Sequence, residues 1–165
     1  MGINSATTRC AMCAEGKNAT VEERLARLEL VEAARQLLAH YAEVMDRRDP
    51  AALSALFAPD AIVRTASGER KGFAEVEAFY SRHFATVGEV RHFITNTRVT
   101  VESPRRVVCE SYLFYVAAIG GESTVGWGDY RDVLEVRNEG LRIVEKSITM
   151  PYRGPVVPGW GHLGG

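Results

Sequence analysis

The chain has 165 residues, of which 46% are hydrophobic and 25% are charged, a balance typical of one soluble globular domain. The 20 lysine and arginine residues nearly match the 21 aspartate and glutamate residues, so the formal net charge is -1. This balance argues against a nucleic-acid or membrane-surface partner, because both need clustered basic residues. No apolar run approaches the roughly 20 residues that cross a bilayer, and no signal peptide is visible. We therefore expect a cytoplasmic protein.

Residues 1–19 are small and polar without periodicity, which predicts a disordered leader. Cys10 and Cys13 form a single CxxC motif. Zinc needs about four ligands, so we interpret this motif as two thiols on a loose tail and predict no metal. Cys109 falls within a strand pattern, where a buried thiol serves as a small core residue.

A capping box begins the first helix, with Thr20 as the N-cap and Glu23 reaching back to it. Apolar residues follow at steps of three or four, which is the spacing of one helical stripe. The pattern predicts a helix from about Val21 to about Asp46. Its stripe comprises Val21, Leu25, Leu28, Val31, Ala34, Leu38, Tyr41 and Met45.

Two shorter helices are predicted next. Asp49 and Pro50 are typical of a helix start, and the helix should end near Leu56. Residues 57–60 then predict a turn and residues 61–65 a short strand. The third helix should run from Gly72 to Gly88.

The second half of the chain predicts four strands, at 92–102, 106–119, 124–137 and 141–150. Helices followed by consecutive strands indicate the α+β class. Proline and glycine breakers exclude regular structure from Pro151 to Gly165. That segment also carries apolar residues such as Tyr152 and Trp160, so we expect it to pack on the body or on a neighbouring subunit.

Asp46 and His92 are the first candidates for chemistry. Asp49 is explained as a cap, whereas Asp46 lies in the last turn of the first helix, where the helix dipole disfavours an anion. Asp46 could pair on the surface with Arg47 or Arg48. Alternatively, if the sheet curls around the helix end, Asp46 holds one ring nitrogen of His92 and the other nitrogen faces a cavity as a base. The remaining histidines, which are His40, His83 and His162, are predicted to have solvated or packing roles.

Tyr41 is the third candidate. It precedes Asp46 by five residues, or about 140° around a helix, so it should face the core while Asp46 lies at the mouth of the same concavity. Asn96 could bind a substrate or tie down a strand end. The predicted pocket lining comprises Phe84, Leu113, Trp127 and Met150.

Three stretches carry a family resemblance: YAEVMDRRDPAALSALFAPDAIV, HFITN and WGDYRDVLEVRNEGLRIVEKSI. Over about residues 21–152 the chain resembles the NTF2-like superfamily, and within it the SnoaL-like domain. The resemblance implies an α+β cone in which three N-terminal helices pack on a curved antiparallel sheet and enclose an apolar pocket. It implies a domain at 20–150 and a C-terminal arm at 151–165 that closes the pocket or swaps onto a neighbour.

The resemblance also implies roles for residues. Tyr41, Asp46 and His92 match the catalytic positions of the scytalone dehydratase, bile-acid 7α-dehydratase and hexachlorocyclohexane dehydrochlorinase group. In that group an Asp-His pair abstracts a proton and a leaving group departs. The expected activity is therefore a cofactor-independent lyase, of the dehydratase type, or an isomerase. The substrate would be small and apolar, cyclic or polyketide-like, and the protein a homo-oligomer, a trimer or a dimer.

Two departures and one alternative accompany this expectation. The dehydrochlorinase-like pattern has an arginine in its last strand, where Ser147 is nearest here. Only one strand histidine is present, which leaves the general acid open between Tyr41, Tyr112 and Tyr115. The alternative is a non-catalytic small-molecule-binding protein, or the small (beta) subunit of a ring-hydroxylating dioxygenase.

Overall fold

A computed structural model describes residues 19–156. The expectations for the leader, for Cys10 and Cys13, and for Trp160 and His162 lie outside these residues.

Helix α1 (Val21–Arg47) confirms the first predicted helix. The backbone N–H of Thr20 donates to the Glu23 carboxylate at 2.8 Å, and the Glu23 N–H donates to Thr20 Oγ1 at 3.1 Å. Arg48 ends the helix in the left-handed region, with φ of 55°. The reciprocal cap explains why the helix begins where the sequence predicts.

The C-terminal half of α1 is the part that is buried against the rest of the chain. Ala34, Leu38 and Tyr41 are buried, whereas Val21 and Leu28 are 71% and 65% exposed. The helix end, rather than its start, is therefore the part held in the core, and this places Asp46 next to the sheet.

A six-stranded sheet forms the other layer, in the order β2-β1-β6-β5-β4-β3. All neighbouring strands are antiparallel except β1 and β6, which are parallel. A 3-10 helix (Ala51–Ala55) precedes the sheet, and α2 (Phe73–Thr86) lies between β2 and β3. The strands are β1 (Phe57–Thr65), β2 (Gly68–Lys71), β3 (Val87–Ser103), β4 (Arg106–Ile119), β5 (Glu122–Arg137) and β6 (Gly140–Pro155).

The α+β cone is confirmed, with four corrections. The predicted turn at 57–60 is wrong, because these residues open β1. Residues 151–155 were predicted to lack regular structure but extend β6, where they pair with β5. The three predicted helices are two α-helices and one 3-10 helix, and the sheet is mixed rather than wholly antiparallel.

The main core lies between the helices and the inner face of the sheet. Tyr41, Leu53, Val76 and Leu134 belong to it. Cys109 is buried there as predicted, and burial raises its thiol pKa to about 12. Within residues 19–156, no helix is both long enough and apolar enough to cross a membrane.

The outer face of the sheet carries a row of aromatic residues across four strands. Phe93 pairs with Phe114, Phe114 with Trp127, and Trp127 with Tyr152. The Trp127 and Tyr152 rings stack at 4.1 Å, and Trp127 is 48% exposed. The predicted role of Trp127 in lining the pocket is therefore wrong, because alternation along β5 points it away from the helices.

Candidate active site

Asp46 and His92 meet where the end of α1 crosses β3. The Nδ1 atom of His92 lies 2.8 Å from Asp46 Oδ1, and the His92 backbone N–H donates to the same oxygen at 2.9 Å. The two side chains are only 10% and 17% exposed. Because one carboxylate oxygen holds both the ring and the backbone, rotation of the His92 ring would break one hydrogen bond and a shift along the strand would break both.

The alternative surface pairing of Asp46 is not what the fold forms. Arg47 lies 3.8 Å from Glu43, and Arg48 donates to the Val87 carbonyl oxygen at 3.1 Å. Both arginines therefore contact other groups, and the carboxylate of Asp46 pairs with His92.

The surroundings of His92 favour a neutral imidazole. Burial lowers the pKa of His92, the hydrogen bond and charge of Asp46 oppose this, and the Lys146 charge lowers the pKa further. A carboxylate that accepts from Nδ1–H leaves Nε2 without a proton in the neutral ring. His92 is thus arranged as a base with one orienting partner.

A cavity of about 310 Å³ opens beside His92. Leu113 and Met150, which are among the candidate lining residues, border it together with Tyr41. Phe84 lies 6.2 Å from the Tyr80 ring and packs against the core around the cavity instead of lining it. Apolar walls around one base are suited to holding a small apolar molecule.

Three buried tyrosines form one side of the cavity, and sequence reasoning found only one of them. Tyr41, Tyr80 and Tyr130 pack with edge-to-face contacts centred on Tyr41, and the Tyr41 and Tyr80 hydroxyls lie 3.1 Å apart. Burial raises the phenol pKa of all three, so each hydroxyl keeps its proton and can donate.

A buried ion pair lies directly behind these tyrosines. Lys146 Nζ donates to both Asp132 oxygens, at 2.9 and 3.2 Å, and both side chains are fully buried. The ammonium also lies 4.0 Å from the Tyr41 ring centre and 3.6 Å from that of Tyr130. The sequence alone gave no sign of this pair, because its members are 14 residues apart on adjacent strands.

Tyr115 stands next to His92 on the inner face. The two residues pair across β3 and β4, and their rings lie 6.0 Å apart. Tyr115 extends over Gly126, where an added Cβ would meet the tyrosine ring at 2.5 Å. Tyr112, the other strand tyrosine considered as a general acid, points to the outer face and is 57% exposed, so it lies away from the cavity.

Asn96 lies away from the cavity as well. The β3–β4 register shifts between Thr95 and Arg98, and Asn96 adopts a φ of 52° there. It borders a groove on the outer face with Arg98 and Tyr112. A bulge interrupts the two-residue period of β3 there, so Asn96 does not share the inner face with His92.

His83 is a second histidine at the cavity. It lies in the last turn of α2 and lines the same space as His92. Burial lowers its pKa, and the charges of His92 and Arg153 lower it further. The sequence predicted a solvated or packing role for His83, because it does not show which side of α2 meets the sheet.

The residues around the cavity supply acid, base and hydrogen-bond donors. No group of three His, Cys, Asp or Glu side chains within 19–156 is placed to hold a metal ion. The described residues therefore form an apolar cavity within an α+β cone, and a buried Asp-His pair lies at that cavity.

Comparison with protein families agrees with this architecture. The model of the SnoaL-like domain matches residues 26–147. The chain therefore belongs to the SnoaL-like domain family. No curated protein matches the chain.

Solved structures of the same fold include three instructive examples. A hexachlorocyclohexane dehydrochlorinase of type 3 from Novosphingobium barchaimii LL02 is similar with a TM-score of 0.74 and 20% identity, covering 81% of this chain and 94% of that one. A candidate scytalone dehydratase from Novosphingobium aromaticivorans DSM 12444 has a TM-score of 0.74 and 15% identity, covering 80% and 91%. An NTF2-like superfamily protein from Salmonella enterica serovar Typhimurium LT2 has a TM-score of 0.68 and 20% identity, covering 83% and 99%. At such identities the likeness establishes the fold.

Proposed function

We propose that the protein is a cofactor-independent lyase or isomerase that removes a proton from carbon in a small apolar substrate. The observation that carries this proposal is the 2.8 Å contact between His92 Nδ1 and Asp46 Oδ1 at the edge of an apolar cavity. A buried imidazole with one nitrogen held by a carboxylate presents its other nitrogen as a base. The dehydratase and dehydrochlorinase named among the structural neighbours are consistent with elimination chemistry.

In the first step, His92 Nε2 accepts a proton from a carbon next to a carbonyl or an activating ring. Asp46 stabilises the imidazolium that forms. Tyr41 donates a hydrogen bond to the oxyanion that develops on the substrate carbonyl. Since burial raises the pKa of Tyr41, this hydroxyl remains a donor throughout the neutral range.

In the second step, the pathway divides. For a dehydration, the carbon–carbon double bond forms as the carbon–oxygen bond breaks, and the departing hydroxyl takes a proton from Tyr115 to leave as water. The Tyr115 phenolate is then reprotonated, with the imidazolium of His92 as the proton source. For an isomerisation, the imidazolium returns its proton to a different carbon. The position of Tyr115 beside His92 supports its assignment as the acid.

Proton abstraction can be tested before the natural substrate is known. We would incubate the protein with apolar cyclic ketones such as 2-tetralone in D₂O and follow deuterium uptake by mass spectrometry. His92→Ala should lower the exchange rate by about 10²–10⁴. Asp46→Asn should lower it by up to about 10⁴, because the charge that stabilises the imidazolium is lost even where the geometry survives. Normal exchange in both variants would contradict the proposed role of the dyad.

His40→Ala is the matched control. His40 lies on the same helix and is 48% exposed in its side chain, beside Glu43. Its removal should leave the exchange rate unchanged. With hydroxylated ketones, loss of the mass of one water would identify elimination, and deuterium at a second carbon would identify isomerisation.

The second candidate function is small-molecule binding without catalysis, including a role as the small subunit of a ring-hydroxylating dioxygenase. The outer-face row of Phe93, Phe114, Trp127 and Tyr152 supports packing against another chain. In this case the ketones would bind without exchange, and the chain would copurify with a large iron–sulfur subunit.

The predicted homo-oligomer remains a proposal, supported by the same aromatic row. Light scattering coupled to size exclusion should give a dimer or trimer, and Trp127→Glu should shift it towards monomer. A monomeric wild-type protein would contradict the proposal. The cytoplasmic setting also stays a prediction.

A further inference from the structure

One cation, Arg153, acts on two residues that line the cavity and is not used by the proposed chemistry. Arg153 lies on β6, within the segment that the sequence predicted to be irregular. Its strand partner is Gly126, Gly126 pairs with Tyr115, and Tyr115 pairs with His92. These four residues form one continuous row across the sheet, on the face that bears His92.

The number of strands in this row fixes the distance between His92, which is the base, and Arg153, which is the cation. Neighbouring strands are about 4.8 Å apart, so three strand spacings put the His92 and Arg153 backbones about 14 Å apart. Gly126 leaves the middle of the row without a side chain, and the Tyr115 ring fills that space. The Tyr115 hydroxyl therefore lies over Gly126, between the His92 and Arg153 ends of the row.

Arg153 has no structural partner among the described residues. None of the ion pairs formed within residues 19–156 involves it. By contrast, Arg64, Arg106 and Arg137 are each held by two or more carboxylates. The charge of Arg153 affects two residues of the site. It lowers the pKa of His83, although burial and the His92 charge lower that pKa more, and it partly offsets the increase that burial causes in the pKa of Tyr115.

We propose that Arg153, with the His83 ring, forms an anion-recognition subsite beside the cavity, and that the substrates are apolar compounds bearing a carboxylate. A guanidinium binds a carboxylate through two parallel N–H donors, and the imidazole adds a neutral donor. The apolar body would occupy the cavity of about 310 Å³ with its acidic carbon at His92. This inference rests on the proposed function for the location of the reacting carbon, but the anion preference can be measured without turnover.

The test uses two ligands of the same shape and different charge, 2-naphthoate and 2-naphthamide, with isothermal titration calorimetry on the full chain. The wild-type protein should bind 2-naphthoate about tenfold more tightly than 2-naphthamide. Arg153→Met should reduce that ratio to about one while the affinity for 2-naphthamide is kept. Arg153→Lys should retain part of the preference, because it keeps the charge but not the bidentate geometry.

Arg131→Met provides the matched control, since Arg131 is exposed on β5 between Asp129 and Asp132 and its loss changes the net charge equally. It should keep the wild-type ratio. Wild-type protein that binds both ligands equally, or neither, would overturn the proposal, as would an unchanged ratio in Arg153→Met. Loss of both ligands in Arg153→Met would also overturn it, because the arginine would then support the cavity rather than recognise charge.

The two proposals fail separately. Deuterium exchange that depends on His92, without a preference for 2-naphthoate, would refute the anion subsite alone. A preference for 2-naphthoate that depends on Arg153, without exchange of any ketone, would refute the lyase or isomerase assignment alone. His92→Ala should retain the anion preference in either case.

Discussion

Replacing Lys146 by methionine should strongly destabilise the protein. Asp132 is fully buried and receives both of its strong hydrogen bonds from the Lys146 ammonium, at 2.9 and 3.2 Å. Methionine fills a similar volume but leaves the carboxylate uncompensated. Breaking one partner of such a buried pair costs about 3–5 kcal/mol.

The expected loss of unfolding free energy can be converted into a change in Tm for a domain of this size. For a chain of this length, about 1 kcal/mol corresponds to about 2–4 °C in Tm. Lys146→Met should therefore lower Tm by about 6–20 °C, measured by circular dichroism, and lower the urea midpoint without changing the slope. The double variant Lys146→Met with Asp132→Leu should recover this loss, because two apolar residues need no ionic partner.

The exposed ion pairs of Arg64 provide the control. Arg64 donates to Glu69 and Glu145 at 2.7 Å each, which is shorter than the buried pair, but its side chain is 42% exposed. Arg64→Met should cost at most about 1 kcal/mol, since water screens exposed pairs. A loss in Lys146→Met no greater than that in Arg64→Met, or a double variant as unstable as the single one, would refute the reasoning.

The deficit of Lys146→Met should also depend on pH. Burial raises the pKa of Asp132, and without Lys146 nothing opposes that shift. A carboxyl whose pKa is raised in the folded state binds its proton more readily when folded, so the unfolding free energy of the variant should increase as the pH falls from about 8 to about 5. The deficit relative to wild type should shrink over the same range.

Two further predictions concern the site. The pKa values of both His92 and His83 are lowered, mainly by burial, so the unfolded chain binds more protons below the ordinary histidine value of about 6.5. The free energy of unfolding of the wild-type protein should therefore fall as the pH drops below that value, and it should fall less in His92→Gln. The rate of deuterium exchange should likewise decline only below about pH 6.5. Exchange that loses half its rate above that pH would contradict the assignment of a buried neutral base. Gly126→Ala should displace the Tyr115 ring, because the new methyl group would lie 2.5 Å from it; elimination should slow while proton exchange at His92 continues, and unchanged elimination would argue against Tyr115 as the acid.

Local patterns in the sequence were sufficient for most elements. The period of the apolar residues and the Thr20–Glu23 capping box predicted α1 within one residue of its observed end, and β4 has the predicted bounds of Arg106–Ile119. Both depend on contacts within a few residues along the chain, which is why they could be read without knowing the fold. Tyr41, Asp46 and His92 were chosen partly from such patterns and partly from family resemblance.

Only the tertiary structure shows the direction of each strand and which of its faces meets the helices. A period of two tells which residues share a face, but not which face meets the helices, and a bulge reverses the phase partway along a strand. Such a shift lies between Thr95 and Arg98 in β3, and another between Trp127 and Asp129 where β5 meets β6. They separate Asn96 from His92 and bring Arg153 into line with Gly126 and Tyr115, against expectation.

The local sequence thus determined where the helices and most strands lie and which residues are chemically able to act. The pairing of distant strands decided which of those residues share a cavity. Lys146 meets Asp132 across the consecutive strands β5 and β6, and His83 joins His92 at one cavity, because strand register and the facing of each element bring these side chains together. Such contacts depend on register and burial across the whole domain, which no short window of sequence contains.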